Sequence, residues 1–512
     1  MSKVRIGNTG IVRVVLIFVF MVIQAAALVL TLHWFRNYFI YLYAVCFLLT
    51  VVVVLYIISG TKNPAYKIAW LIPVMLLPIF GGLFYLLFGK TWLSGKEQAR
   101  MADLTERFYA TMNAWPGGAA QLSALDEDAA VHSRYLVQAT GTYPFSGTAG
   151  EFLASGEIMY QRMLEELAQA ENFIFLEFFI IENGRMWQPM LEILEQKAQA
   201  GVDVRVIYDD YGSLMTLPSN YDKLLEKKGI KCRVYNRFKA RLSSQFNTRD
   251  HRKICVVDGD KGFVGGINLA DEYINLKNVY GHWHDCGLFV AGQAVAALSA
   301  QFLTMWSLVH GSDEDYQPFL APALVQTPAA CAGFFQPYTD NPLDEENVGE
   351  SVYLNIINRA RNYVYISSPF LVIDNELIVA LTTAAKSGVD VRIITPRVGA
   401  AAMSYVSRSY YEQLIRAGLH IYEYLPGYIH SKTYVCDDRF AVVGSINMDY
   451  RSLYLSHENA VWICDSPVVN TIRDDYDKLL AQSIEITLAD CHRISGIKRL
   501  LQAILRLFSP LA

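Results

Sequence analysis

Two stretches of the sequence, 249–273 and 428–452, carry the same polar residues at the same spacing. Each reads His-x-Lys-x4-Asp and then Gly-x-x-Asn, with the asparagine 17 positions after the histidine. One such cassette could arise by chance, but two with matched spacing in one chain indicate an internal repeat. The matched residues are His251, Lys253, Asp258, Gly265 and Asn268 in the first cassette and His430, Lys432, Asp437, Gly444 and Asn447 in the second.

The residues around each cassette are apolar and β-prone and are bounded by Gly and Asp, which predicts a strand followed by a turn. Successive side chains of a strand point to opposite faces, so the histidine and the lysine of each cassette share one face. Asp258 and Asp437 stand seven positions after their histidines, an odd offset that turns them to the other face. They belong to the catalytic cassettes, but we expect them to hold a turn or an ion pair.

A repeat that brings the cassettes together would place two imidazoles, two ammonium groups and two amides around one substrate. The ammonium charges suit the non-bridging oxygens of a phosphodiester. One histidine can attack phosphorus while the other protonates the leaving alkoxide. Because imidazole titrates at about pH 6.5, we expect one neutral and one charged histidine at neutral pH.

The doubled cassette closely resembles the signature of the phospholipase D superfamily and, within it, the membrane-anchored bacterial cardiolipin synthases. The resemblance covers nearly the whole chain and includes the stretches NPAYKIAWL, GVDVRVIYDDYGS and VGSINMDYRS. It implies two histidines that act from the halves of a pseudo-dimer through a phosphohistidine intermediate, with no metal or other cofactor. It also implies a transferase that converts two phosphatidylglycerol molecules into cardiolipin and glycerol. A phospholipase D hydrolase, a phosphatidylserine synthase-like transferase and a non-catalytic membrane scaffold are the alternatives.

Four further residues are candidates for supporting the catalytic pairs. Asp285 and Glu458 follow the two histidines by 34 and 28 residues. The resemblance gives such carboxylates the role of orienting a histidine, and an exposed charge at a strand start is the alternative. Asn268 and Asn447 follow Gly-Gly-Ile and Gly-Ser-Ile, which is typical of a turn, whereas the resemblance favours amides that face the phosphate.

Three other residues are candidates for contacting the substrate. Arg451 is placed to bind phosphate or a lipid headgroup, and Glu177 and Asp209 are expected to line the pocket mouth. His282 and His284 share a strand face, as metal ligands often do. No third ligand stands at comparable spacing, so we interpret them as loop histidines.

Composition restricts the substrate and the compartment. The net charge is −5 and no long Lys/Arg tract occurs, which argues against a nucleic acid substrate although nucleases use the same cassette. A hydrophobic share of 53% points to a membrane-attached enzyme. The eight cysteines are scattered without CxxC pairs, which favours reduced core residues in a cytoplasmic catalytic part.

The N-terminal region 1–90 contains three apolar runs. Residues 11–32 and 38–59 are each long enough to cross a bilayer and predict a transmembrane helical hairpin. The third run, 68–88, is interrupted by prolines and glycines. The flanking lysines and arginines are all cytoplasmic only if this run does not cross. We therefore expect two crossings of the cell membrane, a re-entrant or interfacial third segment, and catalytic domains that face the cytoplasm.

After a polar linker at 91–130, predicted to contain one helix, strands and helices alternate twice in the same order. Gly-Val-Asp-Val-Arg occurs at 201–205 and again at 388–392 as a matching helix-to-strand turn. This pattern predicts an α/β fold of two pseudo-symmetric phospholipase D-type domains, each with a largely parallel sheet flanked by helices. We place the two domains at 131–325 and 326–490.

The C-terminal segment 491–512 is predicted to contain an amphipathic helix. Such a helix suits an anionic membrane surface, and packing of its apolar face into the core is the alternative. Phosphatidylglycerol and cardiolipin in the bilayer are therefore the expected partners. The apolar face is formed by Ile497, Leu500, Leu501, Ile504, Leu505 and Phe508, and the basic residues are Lys498, Arg499 and Arg506.

Overall fold

The computed structural model describes residues 19–20, 22–30, 39–61, 63–77, 80–89, 95–115, 117–237, 248–320, 331–344 and 346–511. The chain divides into two compact units, a smaller one formed mainly by Met1–Trp92 and a larger one formed by Leu93–Lys239 and Phe246–Pro510. The boundary predicted between residues 325 and 326 lies outside the described residues.

Among the described residues, the smaller unit contains one helix that is long and apolar enough to cross a membrane. This helix, α1 (Phe39–Ser59), has a mean hydropathy of 2.7 over 20 residues. The third apolar run forms two short helices, α2 (Pro64–Leu76) and α3 (Gly81–Phe88), and neither reaches the roughly 20 residues that a crossing requires. Half of the first predicted span, 11–32, lies outside the described residues, and its described stretches at 19–20 and 22–30 are helical.

The segment 91–130, predicted to be a linker with one helix, is instead mostly helical and packed into the larger unit. Leu104, Phe108 and Met112 recur every fourth residue and are buried, so one helix face joins the core. The linker prediction was wrong because polar residues on the other faces hide this narrow apolar stripe. The helices are α4 (Gly95–Asn113), α5 (Ala119–Leu125) and α6 (Glu127–Thr140).

The first half of the larger unit is built on a seven-stranded sheet. The strands are β1 (Thr148–Leu153), β2 (Phe173–Phe178), β3 (Asp203–Asp209), β4 (Lys231–Tyr235), β6 (Ile254–Val257), β7 (Lys261–Gly265) and β9 (Gly287–Gly292), with the short strands β5 (Arg249–Asp250) and β8 (His282–His284) outside this sheet. The helices are α7 (Gly156–Gln169), α8 (Trp187–Gln199), α9 (Asp210–Ser213), α10 (Tyr221–Lys227) and α11 (Ala294–His310), with a 3-10 turn at Asp271–Ile274. The strand order is β1-β9-β7-β6-β2-β3-β4.

The second half repeats this arrangement. Its strands are β10 (Phe334–Asp340), β11 (Tyr363–Ser367), β12 (Leu371–Val372), β13 (Asp390–Pro396), β14 (His420–Tyr424), β15 (Gly427–Ile429), β16 (Thr433–Cys436), β17 (Phe440–Gly444), β18 (Met448–Asp449), β19 (Ser456–Cys464) and β20 (Ser483–Glu485). Its helices are α12 (Val348–Arg359), α13 (Asn375–Lys386), α14 (Ala401–Arg416), α15 (Tyr450–Tyr454), α16 (Pro467–Ala481), α17 (Leu488–His492) and α18 (Gly496–Phe508). The strand order is β10-β19-β17-β16-β11-β13-β14-β20.

Apart from β20, the two sheets have the same strand order, so the predicted duplicated α/β fold is confirmed. The sheets are mixed and not largely parallel, however. Only β2, β3 and β4, and likewise β11, β13 and β14, run parallel to one another. The cassette strands β6 and β16 run antiparallel to β2 and β11, because each cassette folds back on the next strand as a hairpin.

The two halves share one hydrophobic core. Val256 and Val264 from the first sheet lie in the same buried cluster as Val443 and Val461 from the second. The apolar faces of the two cassette hairpins therefore pack together, and this packing fixes how the residues at the ends of those hairpins meet.

Helix α18 carries the predicted amphipathic pattern, but its apolar face does not enter the core. The guanidinium of Arg506 lies 3.9 Å from the ring centroid of Tyr410 on α14 and donates to the carbonyl of Ser409. Exposure of the apolar residues reaches 84% at Ile497 and 63% at Leu500. The helix thus docks on the protein through its polar side.

Candidate active site

The two cassettes meet through two short parallel strand pairs that cross between the halves. Strand β5 pairs with the start of β19, and β15 pairs with β8. Next to these pairs, the backbone N–H of His251 donates to the carbonyl of His457 at 2.9 Å, and that of His430 donates to the carbonyl of His284 at 2.7 Å. Each cassette histidine is therefore fixed against a strand of the opposite half.

Each imidazole also has its acidic partner in the opposite half. Nδ1 of His251 lies 2.9 Å from Oε1 of Glu458, and Nδ1 of His430 lies 2.6 Å from Oδ2 of Asp285. Both carboxylates are fully buried. When ionised, such a carboxylate holds the imidazole proton on Nδ1 and leaves the Nε2 lone pair for chemistry. Both carboxylates were predicted from the sequence to orient a histidine. The sequence did not indicate that each one orients the histidine of the opposite half.

The two cassette lysines are buried beside the histidines. Nζ of Lys253 donates to the carbonyl of His251. Nζ of Lys432 lies 2.8 Å from Nδ1 and 3.1 Å from Nε2 of His430. An ammonium in line with the Nε2 lone pair would lie much farther from Nδ1, so Nζ lies against the ring and donates to the carbonyl of His430 instead.

Burial and like charges lower the pKa values of all four groups. Burial lowers the pKa of Lys253 to about 7 and that of Lys432 to about 8. Burial and the lysine charges lower the pKa of His430 to about 3 and that of His251 well below its usual range. Both imidazoles are therefore neutral at pH 7 in this structure, contrary to the expectation of one neutral and one charged ring. A phosphodiester anion at this position raises all four pKa values.

The turns that contain Gly266 and Ser445 make different contacts with Asp285 and Glu458. Oγ of Ser445 donates to Oε2 of Glu458, and burial raises the pKa of this carboxyl to about 8. The matching residue of the first half is Gly266, where a Cβ atom would lie 2.2 Å from Oδ1 of Asp285. The longer carboxylate thus has a hydroxyl donor, whereas the shorter one requires the space that glycine leaves.

The two cassette asparagines also differ. Oδ1 of Asn268 accepts from the backbone N–H of Ile180 at 3.1 Å, and its Nδ2 donates to the hydroxyl of Tyr273 at 2.6 Å. Oδ1 of Asn447 is buried and has no hydrogen-bond partner in the described part of the chain. The first amide therefore holds the local fold, and the second has hydrogen-bonding capacity left for a ligand.

Asp258 and Asp437 point away from the histidines and have the same task in both halves. Each adopts a left-handed conformation, with φ of 50° and 52° respectively. Each carboxylate accepts from three consecutive backbone N–H groups at the start of a neighbouring strand, at 2.6–2.9 Å for Asp258 and 2.7–2.8 Å for Asp437. This role is structural, as the odd offset predicts.

The placement of two candidate substrate contacts was wrong. Glu177 is an inner residue of β2, is fully buried, and forms an ion pair with Arg252. Asp209 is also fully buried and caps α9 by accepting from the backbone N–H groups of Tyr211 and Gly212 at 2.8 and 3.0 Å. Neither lines the pocket mouth, because β2 and β3 are covered on both faces.

Arg451 lies close enough to His251 for its positive charge to contribute to the lowered pKa of that imidazole. His282 and His284 interact with different residues of the second half, Tyr424 and Asp475 respectively. In the described part of the chain, the side chains close enough together to share a metal ion are Glu350, Asp374 and Glu376.

Several residues around the site were missed from the sequence. Oδ1 of Asn459 accepts from the backbone N–H of Lys253 at 3.0 Å and fixes that lysine from the opposite half. Its position directly after Glu458 was the signal that could have found it. Of the aromatic residues, Trp283 and Tyr428 lie on the short strands β8 and β15, and Tyr428 stands two positions before His430, a same-face offset that could have found it. Ring centroids within 6.0 Å of a catalytic imidazole belong to Phe179 beside His251 and to Tyr273, Trp283 and Tyr428 beside His430.

Comparison with known proteins agrees with this geometry. The family described as cardiolipin synthase, PLD-like domain, matches residues 163–306 and 353–480, and a phospholipase D-nuclease N-terminal family matches 48–90. A cardiolipin synthase of Geobacillus kaustophilus is 32% identical over 96% of this chain and 98% of its own length. Cardiolipin synthase 2 of Bacillus anthracis is 31% identical over 88% of this chain and 87% of its own length.

Two further matches extend the comparison. An uncharacterized protein of Streptococcus mutans is 37% identical over 90% of this chain and 99% of its own length. The crystal structure of phosphatidylserine synthase from Haemophilus influenzae has a TM-score of 0.56 at 13% identity, covering 71% of this chain and 95% of that one. At that identity the likeness is one of fold.

The doubled cassette and the paired sheets define a phospholipase D-like enzyme. Within that class, the chain belongs to the cardiolipin synthase family, whose PLD-like domain matches both halves. It is a phosphatidyl-transferring enzyme, and its substrates are phospholipids.

Proposed function

We propose that this protein is a cardiolipin synthase, which moves a phosphatidyl group from one phosphatidylglycerol to the terminal hydroxyl of a second and releases glycerol. The observation that carries the proposal is the pair of imidazoles, each oriented by a buried carboxylate of the opposite half. Two buried lysines lie beside them. The two ammonium groups can bind the non-bridging oxygens of one phosphodiester. With two histidines, one can act as the nucleophile and the other as the acid.

In the first step, Nε2 of His251 attacks phosphorus and the bond to the glycerol oxygen breaks. That oxygen takes a proton from Nε2 of His430, which carries one because the bound phosphate raises its pKa. The products are a phosphatidyl group on His251 and free glycerol. This assignment is supported by Nε2 of His251, which has no hydrogen-bond partner in the described ranges, whereas the Lys432 ammonium lies against the His430 ring, 3.1 Å from Nε2.

In the second step, neutral His430 removes the proton from the terminal hydroxyl of another phosphatidylglycerol. The resulting oxygen attacks phosphorus, the phosphorus–nitrogen bond breaks, and His251 regains its lone pair. The lysine ammonium groups offset the charge that builds on the equatorial oxygens. Two displacements in series predict retained configuration at phosphorus and ping-pong kinetics.

The synthase proposal is tested by incubating the purified full-length protein with phosphatidylglycerol labelled in its headgroup glycerol. We expect cardiolipin and free glycerol in equal amounts. Phosphatidic acid without cardiolipin would favour a phospholipase D hydrolase. Phosphatidylserine formed from serine and a nucleotide-activated lipid would favour the phosphatidylserine synthase-like alternative, and no turnover by any route would favour a membrane scaffold.

The phosphohistidine step is tested by trapping. The protein is mixed with phosphatidylglycerol labelled in the phosphatidyl group and quenched in alkaline denaturant, because a phosphorus–nitrogen bond hydrolyses in acid. Peptide mapping should find the label on the peptide that contains His251. Label on the His430 peptide would reverse the two roles, and a turnover-competent protein without any label would exclude the covalent route.

We also propose that the chain crosses the cell membrane at 11–32 and 38–59 and keeps the larger unit in the cytoplasm. Support comes from the apolar helix α1 and from the lysines that follow it, Lys62 and Lys67. Membrane-impermeant thiol labelling of single cysteines placed in α5 and α18 should occur only in inverted vesicles. Labelling in intact cells would overturn this orientation.

Helix α18 is proposed to contact an anionic membrane surface. Its apolar face is exposed, and Lys498 and Arg499 flank that face in solvent. An environment-sensitive dye at Leu500→Cys should shift to the blue in phosphatidylglycerol vesicles and much less in phosphatidylcholine vesicles, because the basic residues add an electrostatic attraction. The same shift in both lipids would remove the electrostatic part of the proposal.

A further inference from the structure

The catalytic histidines and a set of loops lie along one edge of the two sheets. The parallel strands β2, β3 and β4 end at the same edge of the first sheet, and β11, β13 and β14 end at the equivalent edge of the second. Each histidine precedes a strand, β6 or β16, that runs antiparallel to these, so it lies at that edge as well. The loops at 210–220, 397–400 and 425–426 follow β3, β13 and β14.

A loop of the first half, 275–281, contacts the loop that follows β14 in the second half. The backbone N–H of His282 donates to the carbonyl of Pro426 at 3.0 Å. A Cβ atom on Gly427 would lie 2.3 Å from the carbonyl oxygen of His282, so the two backbones are in close contact. The ring centroids of Tyr280 and Tyr428 are 5.6 Å apart. The loop at 275–281 therefore lies against the loop at 425–426.

Many of the exposed side chains of these loops are apolar, beside the polar Ser219, Asn220, Lys277, Asn278 and Arg397. Exposure reaches 72% at Met215 and 51% at Leu425. Contiguous exposed apolar surface on a folded unit marks an interaction site. We call this set the mouth rim; it consists of Tyr211, Leu214, Met215, Leu276, Val279, Tyr280, Val398 and Leu425.

An aromatic wall leads from the mouth rim to a catalytic imidazole. Tyr280 contacts Tyr428, whose ring centroid is 4.6 Å from that of Trp283. The Trp283 ring is in turn 5.4 Å from that of His430. The rim segments 278–281 and 425–427 contain no charged residue. Moving them into an apolar medium therefore does not bury an unpaired charge.

We propose that the mouth rim inserts into the bilayer interface, so that a phospholipid reaches His430 along the aromatic wall without leaving the membrane. The proposal rests on the proposed function, because it assumes that the group transferred at the histidines belongs to a lipid. A bilayer is favoured over a protein partner because the rim consists of loop tips from both halves around the active site. A protein bound there would close the path of the substrate, whereas a bilayer supplies it. Tyrosine at such a position is typical of membrane interfaces.

The first test locates the rim without requiring any turnover. In the full-length protein, Val279→Cys is labelled with an environment-sensitive dye in a Cys46→Ser, Cys331→Ser background, since the other six cysteines are buried. The control is Leu125→Cys, an exposed apolar position outside the rim. After reconstitution, the rim dye should shift to the blue and be quenched by lipids with a nitroxide near the glycerol backbone.

The control dye should show neither change. A rim dye that behaves like the control dye would overturn the proposal. A blue shift without nitroxide quenching would also overturn it, because that combination indicates a protein neighbour such as a second copy of the chain.

The second test separates access to lipid from chemistry. The double variant Val279→Asp, Leu425→Asp should lose about tenfold or more of its turnover of bilayer phosphatidylglycerol, because each substitution replaces an apolar side chain that favours insertion by a charge that opposes it. Turnover of water-soluble dihexanoyl phosphatidylglycerol should change little. The matched control is Leu125→Asp, Val379→Asp, which should leave both activities near those of the parent protein.

Equal losses on the two substrates would overturn the rim proposal, because they would indicate damage to the fold or to the chemistry. The proposed function has a separate failure. If the parent protein turns over neither substrate, phosphatidyl transfer from phosphatidylglycerol is wrong, and the fluorescence still decides whether the mouth rim is in the membrane.

Discussion

The two halves of the larger unit each hold a buried carboxylate beside a cassette histidine, but they do so with different residues. In the first half, the histidine-orienting residue is an aspartate, Asp285, and the neighbouring turn has a glycine whose missing side chain gives the carboxylate its space. In the second half, it is a glutamate, Glu458, and the turn supplies the hydroxyl of Ser445 as a donor. The backbone repeat is close, yet each half has its own match of carboxylate length and turn residue.

This difference shows that the repeat conserves the position of the imidazoles and not the chemistry around them. His430 has the closer carboxylate and an ammonium against its ring, whereas His251 faces a longer carboxyl that accepts from a hydroxyl and whose pKa burial raises to about 8. Two histidines in unequal surroundings suit a reaction in which one becomes covalently modified and the other shuttles a proton.

The comparison is tested most severely by removing each imidazole. His251→Ala and His430→Ala should each lower cardiolipin formation by about 10⁴-fold, because both steps need both rings. With a phosphatidyl ester of p-nitrophenol, which leaves without a proton, His430→Ala should still release one equivalent of nitrophenol and His251→Ala none. His420→Ala, at an exposed histidine, is the control. A burst from the His251 variant would exchange the two roles.

Filling the turn of the first half should have the next largest effect. Gly266→Ala places a methyl group against Asp285 and pushes its carboxylate away from His430. We expect kcat to fall by about 10²-fold, the typical result of a misplacement near 1 Å, with little change in KM. Gly496→Ala, where the added methyl meets open space, is the control. An unchanged kcat would mean that the orientation of His430 by Asp285 does not limit the reaction.

The lysines predict a particular pH dependence. A lowered pKa means that each lysine loses its charge at a lower pH than usual, here between about 7 and 8. Because the charged lysines bind the phosphate, kcat/KM should fall from pH 7 to pH 9, by about tenfold where only the charge of Lys432 is needed and by a few hundredfold where both charges are needed. Bound substrate raises both pKa values, so kcat should fall only at higher pH. A profile of kcat/KM that stays flat to pH 9 would contradict the lowered values.

Removing the hydroxyl of the second half should have a smaller effect than filling the turn of the first. Ser445→Ala deletes one hydrogen bond to Glu458 but leaves its contact with His251. The loss of about 1 kcal/mol corresponds to about a fivefold lower kcat. Ser445→Thr keeps the hydroxyl and should restore part of the rate. If Ser445→Ala were as damaging as Gly266→Ala, the proposed asymmetry between the turns would be wrong.

The cassette aspartates should affect stability and not catalysis. Asp258→Asn keeps a residue type that tolerates positive φ but weakens three hydrogen bonds to backbone N–H groups. The free energy of unfolding should fall by about 1–3 kcal/mol, read as a lower Tm, with kcat of the folded protein unchanged. Asp437→Asn should behave in the same way, and exposed Asp477→Asn should not. A lower kcat with an unchanged Tm would indicate that these aspartates take part in catalysis.

The duplicated fold and the faces of the cassette residues could be predicted from the sequence, because the two copies have the same residues at the same spacing. Duplication, the shared face of His251 and Lys253, and the opposite face of Asp258 all follow from offsets along one strand. The crossed pairing does not, because it depends on how two hairpins pack face to face, which no offset encodes. Glu177 and Asp209 were misplaced for a related reason, since a carboxylate within a strand or at its end gives the same sequence pattern whether it faces solvent or a buried arginine.

The crossed strand pairs have a consequence for the history of the chain. Each half supplies a histidine that it does not orient and orients a histidine that it does not supply, so neither half contains a complete site. A mutation that alters the carboxylate of one half is felt by the nucleophile or acid of the other. The two copies are therefore bound to evolve jointly.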